Sequence, residues 1–320
     1  MLVDVRLDGG LASVAGTVRE LEAAGVAGVF TYEGPSDPFL PLGAAAVASE
    51  GLALYTNLAI ALPRSPMHLA YLASDLQLAS GGRFSLGLGS QIAKHITQRY
   101  GGTWESPVEQ MREWVLAVKE IQQAWAQGRP PEFQGRWTQH TYCPPLFVPP
   151  AAPAAPILVG ALGPKMTAMA VDVADGLLVH PFCSEQSLEV TWAQVPAGFP
   201  VIGQSIVGVG LTDEQVAGAR EAVRGLIAFY GSTPAYRPVL DAHGWGDLQE
   251  RLRDLTRVGD WAALPALVSD EVVDTIALVG RPAEVAKGLK KRFARCERVA
   301  LSTPYSVSVE ALAELTALAH

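Results

Sequence analysis

The stretch Ser80–Gln91 reads S-G-G-R-F-S-L-G-L-G-S-Q, and it limits the fold more than any other part of the chain. The Gly81–Gly82 pair closes a helix, and Arg83–Phe84 leads into a strand of alternating small and branched residues. That strand stays apolar along its length and turns polar only at its exit, Gly89-Ser90-Gln91. A strand buried on both faces with a polar tip is what a parallel barrel makes where its active-site loops begin. Arg64-Ser65-Pro66-Met67 before it and Tyr100-Gly101-Gly102-Thr103-Trp104 after it strengthen the reading.

The rest of the chain repeats the same unit. Strands are expected at Leu2–Leu7, Gly28–Glu33, Leu52–Leu62, Ser85–Ser90, Ile157–Leu162, Gly176–Phe182, Pro200–Gly210 and Arg298–Ser302. Between them lie helices with clear start signals. Ser65-Pro66 supplies an N-cap and a proline at the first helical position, and Ser106-Pro107-Val108-Glu109 and Thr212-Asp213-Glu214-Gln215 read as capping boxes. Two stretches break the rhythm. Gly128–Pro156 holds eight prolines and reads as an insertion with a hairpin around Phe133–Tyr142. Ser232–Asp274, rich in Trp, Gly and Pro, reads as extra helices and loops. Eight strand–helix units with two insertions, at about 128–156 and 232–274, predict a single (β/α)8 TIM barrel over residues 1–320. A doubly wound dinucleotide fold would need G-x-G-x-x-G, but Ile92 stands where the third glycine belongs.

With 49% hydrophobic and 18% charged residues, the 320-residue chain can bury a core of that size. A net charge of -8 without a basic stripe argues against nucleic acid as a partner. No apolar run is long enough to span a bilayer, and Met1–Leu7 reads as a charged strand rather than a signal peptide. The three cysteines, Cys143, Cys183 and Cys296, are scattered and form no C-x-x-C pair. Neither a zinc ribbon nor a disulfide framework is expected, and the chain reads as cytoplasmic.

In a barrel, chemistry sits at the strand C-termini. Those positions offer Glu33, Ser90 with Gln91, Ala161-Leu162-Gly163 and His180, with Asn57 deeper in the third strand. No H-x-H, G-x-S-x-G or Walker motif occurs, and no metal site is expected. Side-chain chemistry this thin points to a borrowed organic cofactor. Gly160–Lys165 suits an anion, because small residues admit a phosphate to the free N–H groups of the helix that starts at Pro164. A tight turn and nothing more is the alternative. Glu33 is either a site carboxylate or a solvated cap, His95 a proton-carrying group or an exposed helix residue, and His180 a mouth or a structural residue. The Trp114/Trp125 stripe reads as core, and His243 as a surface feature.

The segments Ser36–Leu42, Arg64–Met67, Asp75–Leu78, Ser80–Gln91, Ala174–His180 and Ala228–Trp245 together resemble the bacterial luciferase-like superfamily, in its branch of coenzyme F420-dependent oxidoreductases. The resemblance implies a deazaflavin or flavin held across the C-terminal mouth. It also implies a bulge in the third strand with a cis peptide at Asn57–Leu58, against the middle of the ring. By position, Ser90 and Gln91 lie beside the ring or its side chain, Ala161, Leu162 and Gly163 take the phosphate, and His180 lines the same tail. Glu33 falls where related sugar-phosphate dehydrogenases carry an acid. Those enzymes follow it with a histidine, where this chain has Gly34, and place a glutamate where it has Ile92; His95 is the substitute candidate. The expectation is hydride transfer between coenzyme F420 and a small organic substrate, with Glu33 or His95 moving a proton, in a homodimer. Three alternatives stand: an FMN-dependent monooxygenase using oxygen, a catalytically idle cofactor-binding barrel, and a cofactor-free hydrolase without a visible nucleophile–base pair.

Overall fold

The computed structural model describes all 320 residues. The barrel strands are β1 (Leu2–Arg6), β2 (Gly28–Thr31), β3 (Ala53–Thr56) continued by β4 (Ala59–Ile60), and β5 (Phe84–Gly89). A two-stranded hairpin follows, β6 (Phe133–Gln134) with β7 (Gln139–His140). Next come β8 (Ile157–Ala161), β9 (Gly176–Val179), β10 (Val201–Val209), β11 (Ala277–Gly280) and β12 (Arg298–Ser302). All barrel pairings are parallel, in the order β1-β2-β3-β5-β8-β9-β10-β12, and β12 returns to β1. The fold is therefore a closed eight-stranded (β/α)8 barrel.

Helices α1 (Val14–Ala23), α2 (Phe39–Ala48), α3 (Pro66–Ser80), α4 (Pro107–Ala126), α5 (Pro164–Val173) and α6 (Glu185–Trp192) follow successive strands. They share one apolar core of 54 buried residues with the outward faces of the sheet. The lumen has its own small cluster, Phe30, Tyr55, Leu158, Leu178 and Ala300, one from each of five strands. At the N-terminal end a polar group closes the lumen. Asp4 is fully buried and accepts from Tyr55 Oη at 2.8 Å and from the Arg298 guanidinium. Burial raises its carboxyl to about 6, with Arg298 and Tyr55 pulling the other way.

The second insertion depends on the length of β10. Its start pairs with β9 and β12, but Val207–Val209 extend past the last residue of β12. Ile206 pairs with Ser302 on one edge and Ala277 on the other, so β11 takes the edge that β9 has left. Helices α7 (Asp213–Gly231), α8 (Arg237–Asp241), α9 (Gly246–Val258) and α10 (Asp270–Ile276) pack against this overhang around a separate core of 15 residues. Then α11 (Pro282–Arg292) leads back to β12, and α12 (Val309–Ala319) ends the fold.

Three local expectations change. β11 is a strand that the sequence reading lacks. Ser106 makes no side-chain cap and adopts φ 42°, while Gln110 Oε1 accepts the Glu105 N–H just before the helix at 3.0 Å. His243 is not a plain surface residue, since its Nε2 bonds Ser184 Oγ at 2.8 Å and its ring stacks on Trp245. No helix is long and apolar enough to cross a membrane.

Candidate functional site

The break between β3 and β4 begins the site. Tyr55 pairs with Ser85 and Ala59 with Leu88, so four steps along one strand match three along the other, a one-residue bulge. The Asn57–Leu58 peptide within it is cis. Leu58 fits there because its neighbours lack side chains. A Cβ on Gly89 or on Gly160 would come within 2.6 Å or 2.4 Å of the Leu58 methyl groups. Asn57 donates from Nδ2 to Gln204 Oε1 at 3.1 Å, linking β3 to β10 across the mouth.

Glu33 braces this bulge. Its N–H donates to Leu58 O at 3.0 Å, and its side chain, 5% exposed, accepts from Ile60 N at 2.7 Å, from Arg64 and from Tyr100 Oη at 2.8 Å. Arg64 also donates to Ile60 O at 2.9 Å, and its own carbonyl accepts from Trp114 Nε1. Both Glu33 oxygens are thus engaged. Arg64 stands in the R-S-P motif, so the sequence marked it without showing its partner. Tyr100 stands in the Tyr100–Trp104 stretch that the sequence also marked, again without its partner, and nothing in the sequence marked Gln204.

The other residues divide by strand. Ser90 and Gln91 leave β5, with Gln91 held at φ 62° and its Oε1 accepting from Ile92 N at 3.0 Å. Ala161, Leu162 and Gly163 leave β8. No side chain caps α5, so the Lys165 and Met166 amides at its start have no acceptor within the helix. A Cβ on Gly163 would meet nothing within 4 Å, so the approach to those amides is open. This donor set and this space suit a phosphate. His180 follows β9, and its Nδ1 accepts from Phe182 N at 3.1 Å. Its ring stacks on Tyr236 at 4.4 Å, and desolvation pushes the imidazole down to about 3, which leaves it neutral near pH 7.

The structure therefore gathers Asn57, Leu58, Ser90, Gln91, Ala161–Gly163 and His180 on adjoining strand exits, with Glu33 tied to the bulge from β2. His95 lies four residues beyond Gln91 on the segment that leaves β5. It opens a π-helical turn, His95–Arg99, that crosses toward β2, where Arg99 donates to Gly34 O at 2.7 Å. A notch of about 330 Å³ is lined there by Lys94, His95, Gln98 and Arg99, and His95 Nδ1 is buried without a partner. No group of three or more His, Cys, Asp or Glu side chains could hold a metal ion.

Comparison with known proteins fits this geometry. Residues 4–296 match the sequence profile of a family described as luciferase-like monooxygenase. An uncharacterized protein of Mycobacterium tuberculosis is 40% identical over 314 residues, covering 92% of this chain and 91% of its own. The 5,10-methylenetetrahydromethanopterin reductase of Archaeoglobus fulgidus is 29% identical over 244 residues, 71% of this chain and 69% of that one. Among solved structures, the coenzyme F420 dependent tetrahydromethanopterin reductase of Methanopyrus kandleri superposes with a TM-score of 0.81. It is 19% identical and covers 98% of this chain and 97% of its own.

Proposed function

The chain belongs to the luciferase-like monooxygenase family, and from that membership we propose that it is an oxidoreductase transferring a hydride between coenzyme F420 and a small organic substrate. The observation that carries the cofactor assignment is the open, uncapped start of α5 at Gly163, which leaves β8, one strand beyond β5 from the bulge at Asn57–Leu58. A relative named as a methylenetetrahydromethanopterin reductase supports redox chemistry over hydrolysis. When bound, the deazaflavin would supply a two-electron hydride carrier at C5. Ala161–Gly163 and the first amides of α5 would hold its phosphate, while Leu58, Ser90 and Gln91 would flank the ring and His180 would line the tail.

The proton role divides unequally. Glu33 is occupied by three donors, which suits it to holding the Leu58–Ile60 backbone in place. His95 has a ring nitrogen with no partner, and it is the better candidate to give or take the proton. His95→Ala should lower turnover by about 10²-fold or more while leaving cofactor affinity nearly unchanged.

The experiment is a turnover assay with reduced coenzyme F420 and a panel of carbonyl and imine acceptors, following deazaflavin oxidation and dissolved oxygen together. Oxidation that depends on the acceptor, without oxygen loss, supports the proposal. Oxygen consumption with reduced FMN would place the chain with the FMN-dependent monooxygenases instead. Cofactor binding with no turnover by any acceptor would favour an idle carrier.

A further inference from the structure

The residues assigned to the cofactor occupy the exits of adjoining strands, β3/β4, β5, β8 and β9. The other half of the rim runs from β10 through β12 and β1 to β2, and its chemistry differs. Arg6 leaves β1 and Tyr32 follows β2, with the Arg6 guanidinium 5.6 Å from the centre of the Tyr32 ring. Tyr230, in the last turn of α7, reaches the same side. Burial raises its hydroxyl, and the Arg6 charge opposes that rise. Tyr236 lies beyond, stacked on His180, and Tyr230 meets the two edge-on at 5.7 Å and 5.2 Å. The overhang of β10 is what brings Tyr230 of α7 and Tyr236 of the second insertion here.

From this juxtaposition of Arg6, Tyr32, Tyr230, Tyr236 and Ser302 we infer that the β10–β2 half of the mouth is the substrate wall, and that it takes a flat, neutral, ring-bearing carbonyl compound. Flatness follows from the aromatic faces and the guanidinium plane, which reward a conjugated ring by stacking. Neutrality follows from Arg6, the one cation among these residues. Its charge is already matched by Asp8, which accepts from Nε at 2.5 Å and from Nη2 at 2.9 Å. A phosphorylated sugar would need free cations that this wall does not offer. The carbonyl follows from the donors left over, the tyrosine hydroxyls and the remaining guanidinium N–H groups. In the reducing direction the carbonyl carbon gains a hydride and its oxygen a proton. The C=O π bond breaks, the product is an alcohol, and the reduced deazaflavin is oxidised.

The inference rests on the proposed function only in placing the cofactor opposite the wall, and the test separates the two. The F420-loaded protein is titrated by calorimetry with benzaldehyde, cyclohexanecarbaldehyde and glucose 6-phosphate. The first two differ in planarity and the third in charge. Benzaldehyde should bind about 10-fold tighter than its saturated counterpart, the equivalent of one to two aromatic contacts. Tyr32→Leu and Tyr230→Leu should each weaken benzaldehyde about 3- to 10-fold, and Tyr32→Leu should leave the saturated aldehyde and the cofactor unaffected. Tyr32 is 48% exposed, so its replacement cannot fail merely by misfolding. Equal binding of the two aldehydes, tighter binding of glucose 6-phosphate, or an unchanged Tyr32→Leu would overturn the wall. If coenzyme F420 does not bind, the same titration is run on the apoprotein. Ring preference there upholds the wall while the cofactor reading falls, and its absence overturns the wall as well.

Discussion

The two insertions both interrupt the strand–helix rhythm with Pro, Gly and Trp, yet they are held by opposite means. The first, Gly128–Pro156, runs along the outside of α4 and is fixed by polar side chains. Buried Glu113 accepts the Arg136, Trp137 and Thr138 amides at 2.8, 2.7 and 2.7 Å, and Gln122 Oε1 accepts the Ala155 N–H at 2.6 Å. The second is fixed by its own apolar core on the overhang of β10. A carboxylate can anchor a turn on a helix without altering the barrel. A core can carry new side chains over the mouth, and this one carries Tyr230 and Tyr236.

That contrast can be broken at either end. The largest effect should come from Leu252→Ala, which empties a fully buried position in the second insertion's core. Loss of about 3 kcal/mol in urea unfolding is expected, and a change under about 1 kcal/mol would mean the core does not hold the insertion. Next is Glu113→Ala, which leaves three amides without an acceptor. A cost of about 1–3 kcal/mol is expected, with faster hydrogen exchange at Arg136–Thr138 and unchanged cofactor affinity. Weakened cofactor binding would show that the first insertion reaches the site after all.

A pH experiment sharpens the comparison at the mouth. His180 is depressed in the folded protein to about 3 from 6.5, so between those values the unfolded chain binds more protons and stability falls as pH falls. Asp4 is raised to about 6 from 3.8 and opposes it, because there the folded chain binds more protons. Wild type and His180→Asn must therefore be compared at each pH. The difference in their unfolding free energies should change by about 2 kcal/mol between pH 7 and pH 5, against the wild type. A difference that stays constant would mean His180 is not buried by Tyr230 and Tyr236. The smallest effect, about 1 kcal/mol, should follow His243→Ala through loss of the Ser184 bond.

Most of the barrel was legible because its strands announce themselves locally. Phe84–Gly89 and Val201–Val209 are apolar runs with small residues, and their ends carry polar tips or turn signals. β11 was not legible. Ala277–Gly280 follows a helix directly, and it becomes a strand only because β10 is long enough to offer it an edge. At the site, Glu33 and Arg64 could be noted separately, but their pairing across 31 positions is a product of the closed barrel. Gln204 is one of two polar residues in an otherwise apolar strand until Asn57 meets it from the opposite side. Ser106 shows the reverse case, a well-formed capping signature whose serine takes φ 42° and makes no side-chain cap.

The measurement closest to the central claim is a calorimetric titration of the apoprotein with oxidised coenzyme F420 and, in parallel, FMN, repeated on Gly163→Glu. Selective binding of coenzyme F420, lost when a negative charge is set at the start of α5, is the predicted result. Preference for FMN, or coenzyme F420 affinity indifferent to the charge at Gly163, would contradict it.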